Sequence, residues 1–273
     1  MKIYLNNSIT TLALVGVFSA SAAAFGTQAG SDDRRYAECV ELASRAPDRA
    51  INQALIWQNE RGGVPARHCE ALGLFHMGEY AEAAARLEKI AEDMRVGRDM
   101  PLRRGSPTVA GEALLADMFA QAANAWLLAT KLPKAEAAID TALSLAKSGG
   151  AQELDLLVDR ARIAAADGDF ELALGDLEKV QKQDRSRKDI LVLIAAAARN
   201  VENFVKAEIA LREYLNLFPD QADGHLERGN LFDAEGETAQ ARLSWRKVLE
   251  LEDEGPNAAA ARTNLERIDL QKK

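Results

Sequence analysis

The sequence predicts an all-α protein built from repeated antiparallel helix pairs, and three observations carry that prediction. Alanine accounts for 51 of the 273 residues, and alanine is both the strongest helix former and the smallest side chain with a Cβ. Aromatic residues make up only 5% of the chain and β-branched ones are scarce, which removes the raw material of a sandwich or barrel. The third observation is a set of residue columns that recurs around five short turns, at Gly78, Thr130, Gly168, Glu202 and Gly236. Five residues after each turn stands alanine: Ala83, Ala135, Ala173, Ala207 and Ala241. Two after it comes a bulky residue, Tyr80, Leu132, Phe170 or Phe204, with Thr238 as the exception. Nine after it is a large apolar one, Leu87, Ile139, Leu177, Leu211 or Trp245, and seven before it a small one, Ala71, Ala123, Ala161, Ala195 or Gly229.

These columns describe a helix–turn–helix unit. Small residues let two antiparallel helices approach closely, and large ones fill the space toward the next unit. Successive turns lie 52, 38, 34 and 34 residues apart. A 34-residue period with this alanine and aromatic pattern resembles the tetratricopeptide repeat family. The resemblance covers roughly residues 64–255 and implies a right-handed superhelical solenoid of helix pairs with a capping helix at its end. The family's terminal proline survives only at Pro219, and the aromatic expected early in the first helix only at Phe119.

The elements follow in order. Lys2, the apolar stretch Ile9 to Phe18 and the small-residue run Ser19 to Ala24 have the layout of a secretory signal peptide. Its apolar core of about ten residues is half of what a spanning helix needs. Residues 1–24 are therefore expected to be removed, an uncleaved anchor being the alternative, and 25–31 form a short mature N-terminus. No cysteine stands at the cleavage site, which argues against a lipoprotein. Export places the protein in an oxidising compartment, the periplasm of a Gram-negative bacterium, with no membrane span after cleavage. There the two cysteines, Cys39 and Cys69, can pair. A bridge closing that 31-residue segment stabilises by about 3–4 kcal/mol when unstrained; two buried free thiols are the alternative.

Residues 32–63 read as an N-terminal helix pair, Asp32–Ser44 and Pro47–Glu60, ended by Gly62, Gly63 and Pro65. The first unit occupies 64–97. An insertion at 98–115 accounts for the 52-residue step; around it Arg95, Arg98, Arg103 and Arg104 crowd together with two prolines and two glycines, the composition of an exposed loop. Four more units follow at 116–149, 154–187, 188–221 and 222–255, and 256–273 form a polar-faced closing helix and tail, as solenoids require.

Function is read by exclusion and then by surface. The 42 acidic against 34 basic residues speak against nucleic acid as a partner. No nucleophile elbow or phosphate loop is present, and the cysteines lie in no Cys-x-x-Cys context. Carboxylates such as Asp117, Asp167 and Asp169 are expected to be solvated. The three histidines, His68, His76 and His225, are expected on the surface or in a groove, and no metal site or cofactor is assigned. In the tetratricopeptide family the first helix of each unit lines a concave groove. Six residues before the turn that helix carries Leu72, Asn124, Arg162, Ala196 and Asn230; three before it, Phe75, Leu127, Ala165, Arg199 and Asp233. The resemblance thus implies a peptide-binding groove presenting Asn124, Arg162, Arg199 and Asn230. Asparagine can donate to and accept from a peptide backbone, and arginine can hold a carboxylate with two hydrogen bonds. The two-lysine carboxylate clamp of cytosolic co-chaperones is not reproduced. Arg95, Arg98, Arg103 and Arg104 offer a second surface, for an acidic partner or anionic lipid head groups. The expectation is a non-catalytic scaffold for a protein partner in the cell envelope. Its competitors are a glycan-binding adaptor of a cell-wall complex and an enzyme with an unrecognised site.

Overall fold

The computed structural model describes residues 32–100, 102–103 and 106–270. The expected leader at 1–24, the segment 25–31 and Arg104 lie outside the described residues, as do the side chains of 102, 103, 106 and 107. The described chain is helical apart from one short β pair, Leu102–Arg103 (β1) and Ser106–Pro107 (β2). These run antiparallel, with Arg103 opposite Ser106.

The described residues form two compact units, 32–167 and 168–270. Their boundary falls inside the span 154–187, which the sequence suggests is one repeat. The first unit holds α1 (Asp32–Arg45), α2 (Pro47–Asn59), α3 (Gly63–His76), α4 (Tyr80–Arg95), α5 (Glu112–Leu128), α6 (Leu132–Leu145) and α7 (Ala151–Asp167). The second holds α8 (Phe170–Gln183), α9 (Leu191–Asn200), α10 (Phe204–Leu217), α11 (Ala222–Ala234), α12 (Thr238–Leu251) and α13 (Pro256–Leu270). Within each unit, sequential helices pack antiparallel and alternate helices also touch, α5 on α7, α9 on α11 and α11 on α13.

Backbone geometry explains the turn column. All five turn residues are left-handed: Gly78, Gly168 and Gly236 at φ 85°, 90° and 82°, Thr130 and Glu202 at 56° and 59°. A Cβ placed on any of those three glycines would meet nothing, so glycine is there for its φ alone. After the turn, the side chains of Asp169 and Asn203 cap α8 and α10 by accepting from the backbone N–H of Leu172 and Lys206. The five alanines of the following helices are all fully buried, and so are the large residues four positions further on.

One exception to the column sizes is compensated. The small position is alanine in four units and glycine only at Gly229; the large position is tryptophan only at Trp245. A Cβ on Gly229 would lie 2.4 Å from Trp245 Nε1, well inside van der Waals contact. The added volume of the indole is taken from the facing helix.

The first unit's core gathers Leu87, Ile90, Met94, Leu115, Phe119, Trp126, Ile139 and Ile163. A smaller cluster of Tyr36, Trp57 and Ala66 sits under α1. Trp245, Val248, Leu226, Ala261 and Ile268 pack α11, α12 and the closing helix α13 together. Trp57, Trp126 and Trp245 are all buried. Cys39 of α1 and Cys69 of α3 form a disulfide, their Cα atoms 6.0 Å apart.

Candidate functional site

In the first unit, α5 and α7 lie side by side and present polar stripes to one another. Spacings of three and four residues put Asp117, Gln121 and Asn124 on one face of α5, and Gln152, Asp155, Asp159 and Arg162 on one face of α7. The amide nitrogen of Gln152 donates to Asp117 Oδ1 at 2.6 Å and to the Ala113 carbonyl at 2.8 Å. Asn124 Nδ2 donates to Asp159 Oδ2 at 3.0 Å, and the Arg162 guanidinium to Asp159 Oδ1 at 2.9 Å. The Asn124 Oδ1 is sealed from solvent and finds no donor among the described residues, an arrangement that costs about 1–3 kcal/mol.

Burial pushes the Asp159 carboxyl up from its ordinary range, and the charge of Asp155 adds to this, against the opposing pull of Arg162 and Asn124. Asp117 is raised in the same way, by burial first and Asp155 second, against the Gln152 hydrogen bond. The expectation that Asp117 is a solvated carboxylate is therefore corrected: packing of α7 against α5 covers it. Asp169 serves as the cap of α8.

In the second unit the corresponding face is closed. Arg199 of α9 donates to both oxygens of Glu227 on α11, at 2.6 and 3.4 Å. Burial alone would lower the Arg199 pKa, but the charge and hydrogen bond of Glu227 hold it raised. Asn230 Nδ2 donates to Glu227 at 3.2 Å, while its Oδ1 accepts from Trp245 Nε1 and from Asn264 Nδ2, each at 3.1 Å. Every polar group of Asn230 is thus occupied by the protein itself.

The four residues expected in a peptide groove therefore fall two in each unit. Asn124 and Arg162 meet on Asp159; Arg199 and Asn230 meet on Glu227. Neither carboxylate is among the residues that the sequence singles out, although it carries a signal for both. Asp159 and Glu227 both stand nine residues before their turn, in the column that holds Gln121 in the second unit of the repeat.

The histidines depart from expectation. His68 and His225 are buried, and only His76 is exposed. His225 Nε2 donates to the Pro219 carbonyl at 2.7 Å, leaving Nδ1 to accept from Arg228 at 2.9 Å; burial first, then the charges of Arg228 and Lys247, lower its pKa. His68 lies between Tyr36 and Gln121, and burial lowers its pKa too.

The arginine-rich insertion is partly spoken for. Arg98 donates to buried Asp93 at 2.8 Å, beside Arg67 at 2.9 Å and Lys89 at 3.1 Å. Burial alone would raise the Asp93 pKa, but the hydrogen bonds and charges of Lys89 and Arg67 hold it below the ordinary range. The Arg95 guanidinium stacks 5.7 Å over the Phe119 ring. Of Arg103 only the backbone is described, in β1.

No helix among the described residues is long and apolar enough to cross a membrane. No family model matches the sequence, and no curated protein does. Solved structures do match. The C-terminal part of a TPR repeat-containing protein from Cytophaga hutchinsonii is 16% identical with a TM-score of 0.53, over 79% of this chain and 78% of that one. MamA (residues 41 to the end) from Desulfovibrio magneticus RS-1 is 17% identical with a TM-score of 0.52, over 73% of this chain and 95% of that one. A kinesin light chain TPR-like repeat protein from Podosopora anserina is 17% identical with a TM-score of 0.53, over 68% of this chain and 92% of that one. With left-handed turns and buried alanines recurring in register, and with these neighbours, the chain has the tetratricopeptide repeat fold.

Proposed function

We propose that this protein is a non-catalytic scaffold that binds an extended protein segment, and that the α5–α7 face of the first unit is the principal contact. The observation that carries this reading is the state of Asn124. Its nitrogen is committed to Asp159 and its oxygen is left without a donor. A rotation that delivers this oxygen to a backbone N–H of a bound segment supplies what the free protein lacks. Gln121, one helical turn earlier, has an amide nitrogen with no partner among the described residues. Donor and acceptor side by side on one stripe suit a peptide backbone, which offers both. Arg162 is held by Asp159, so a carboxylate ligand would have to displace an existing ion pair.

The reading extends to the cell envelope through the leader at 1–24. The tetratricopeptide repeat fold supports the class of function, and the partner would be another envelope protein. Two experiments test it. Crosslinking in intact cells should recover a defined partner whose yield falls at least tenfold when Gln121 and Asn124 are both replaced by alanine; an unchanged partner set refutes the binding face. Fusing residues 1–31 to a reporter enzyme active only after export should give activity; an inactive, cytoplasmic fusion refutes the envelope assignment.

A further inference from the structure

A chain of hydrogen bonds runs from α1 through α3 to the α5 stripe. Tyr36 Oη lies 2.6 Å from His68 Nδ1, and His68 Nε2 lies 2.8 Å from Gln121 Oε1. An amide oxygen can only accept, so Nε2 carries the ring proton and Nδ1 accepts from the Tyr36 hydroxyl. With its oxygen held by His68, the half-buried Gln121 keeps its NH2, uncommitted among the described residues, on the face of α5 that it shares with Asn124. The orientation of that donor therefore depends on α1, two helices away.

α1 is held at a few points, which include the Arg35–Glu60 ion pair at 2.6 Å and the Arg35 guanidinium 4.9 Å over the Trp57 ring. Its sequence is mostly charged and polar, and only Tyr36, Cys39 and Ala43 are buried. Tyr36 and Cys39 are one turn apart on α1, and their partners His68 and Cys69 are adjacent on α3. One disulfide and one hydrogen bond thus close the same seam.

We propose that α1, pinned by the Cys39–Cys69 disulfide, is a redox-sensitive latch that fixes the Gln121 amide on the binding face through Tyr36 and His68. That Gln121 contacts a bound segment rests on the function proposed above; the latch itself rests on the seam alone. A dithiol reductant opens it. One thiolate attacks a cystine sulfur to give a mixed disulfide and a free cysteine thiolate, and the second thiol then releases the other. Two electrons and two protons end on Cys39 and Cys69, and the reductant leaves as its own disulfide. Both sulfurs are buried, so exchange proceeds through local opening of α1, the first helix of the unit. Once α1 departs, His68 Nδ1 loses the donor that complements its Nε2 proton, and the imidazole's hold on the Gln121 oxygen loosens.

Nitrogen-15 NMR on the whole chain tests this without any partner. In the oxidised protein His68 should be a single Nε2–H tautomer and the Gln121 side-chain amide a resolved pair. After complete reduction by dithiothreitol, verified by mass, both should average toward solvent-exposed values. The Trp126 indole N–H, which donates to Glu88 at 2.9 Å, should stay unchanged. An Nδ1–H tautomer in the oxidised protein, or His68 and Gln121 signals unmoved by reduction, overturns the latch. Simultaneous loss of the Trp126 signal also overturns it, because α1 would then not be separable. Tyr36→Phe with the disulfide intact gives an independent reading: the His68 Nδ1 resonance should move while Trp126 does not, and an unmoved resonance refutes the coupling. Because none of these signals involves a bound segment, a failed latch leaves the binding face standing, and a failed crosslinking experiment leaves the latch standing.

Discussion

Asn124 and Asn230 occupy the same position of the repeat, six residues before the turn, one in each unit. Their surroundings separate them. Asn230 is engaged by Glu227, Trp245 and Asn264; among the described residues Asn124 has one partner and a sealed oxygen with no donor. The difference traces to the residues downstream of each. Beyond Asn230 the large position is an indole with an N–H to give, and α13 brings Asn264. Beyond Asn124 the large position is Ile139, which donates nothing, and Trp126 sends its N–H to Glu88 instead. The same residue is thus a structural tie in one unit and an incomplete contact in the other.

The largest test of this comparison acts on the second unit's compensated pair. Gly229→Ala pushes a methyl into the Trp245 ring and should destabilise that unit by about 2–3 kcal/mol, measured by urea unfolding. Trp245→Leu added to it should recover part of the loss. An additive double variant would mean that the two positions do not sense each other.

Next in size are the asparagines themselves. Asn230→Ala breaks three hydrogen bonds and strands the Trp245 indole N–H, and should cost about 2 kcal/mol. Asn124→Ala removes one bond together with the unsatisfied oxygen and should cost less than about 0.5 kcal/mol. Equal losses would erase the distinction drawn between the two units.

The turns give a smaller effect of opposite sign. Thr130→Gly in the first unit and Glu202→Gly in the second replace left-handed residues that strain the backbone, and each should stabilise its own unit by about 1 kcal/mol or less. Hydrogen exchange, which reads the units separately, checks this; a stabilisation shared by both would show that they unfold as one.

Smallest is a pH effect confined to the first unit. The Asp117 pKa is raised by burial, so the folded state binds its proton more tightly than the unfolded state does. Stability contributed by the protonated form is present below the ordinary carboxylate value and is lost as pH rises through the raised one. Asp117→Asn should therefore raise the melting temperature modestly at neutral pH and have no effect at pH values where Asp117 is already protonated. A gain that persists under acid would place the cause elsewhere.

Much of the fold is legible in the sequence because its rules are local. The alanine, large-residue and turn columns recur at fixed offsets, and each has a single geometric cause: close approach, filling, or a left-handed φ. The site is less legible because its bonds are not local. Tyr36 and Gln121 lie 32 and 53 residues from His68, and Arg199 lies 28 from Glu227, distances over which no periodicity ties a donor to its acceptor. Arg162 and Arg199 look available only if the carboxylates of an acidic chain all face water. Asp159 and Glu227 instead face the neighbouring helix, from which Asn124 and Arg199 reach them, and Arg162 covers Asp159 from its own helix. Glu227 and Asp159 share a column with Gln121, so polar residues sorted by repeat position, like the apolar ones, reveal the ladder.

The pairing of Gly229 with Trp245 sets a rule for anyone cutting and splicing this chain. Both residues belong to one repeat, so that repeat can be copied, moved or placed at another point of an array as a block. Its helices cannot be traded singly. An alanine-bearing first helix joined to α12 collides with the indole, and α11 joined to a leucine-bearing second helix leaves a hole. The smallest interchangeable part of this protein is the hairpin, not the helix.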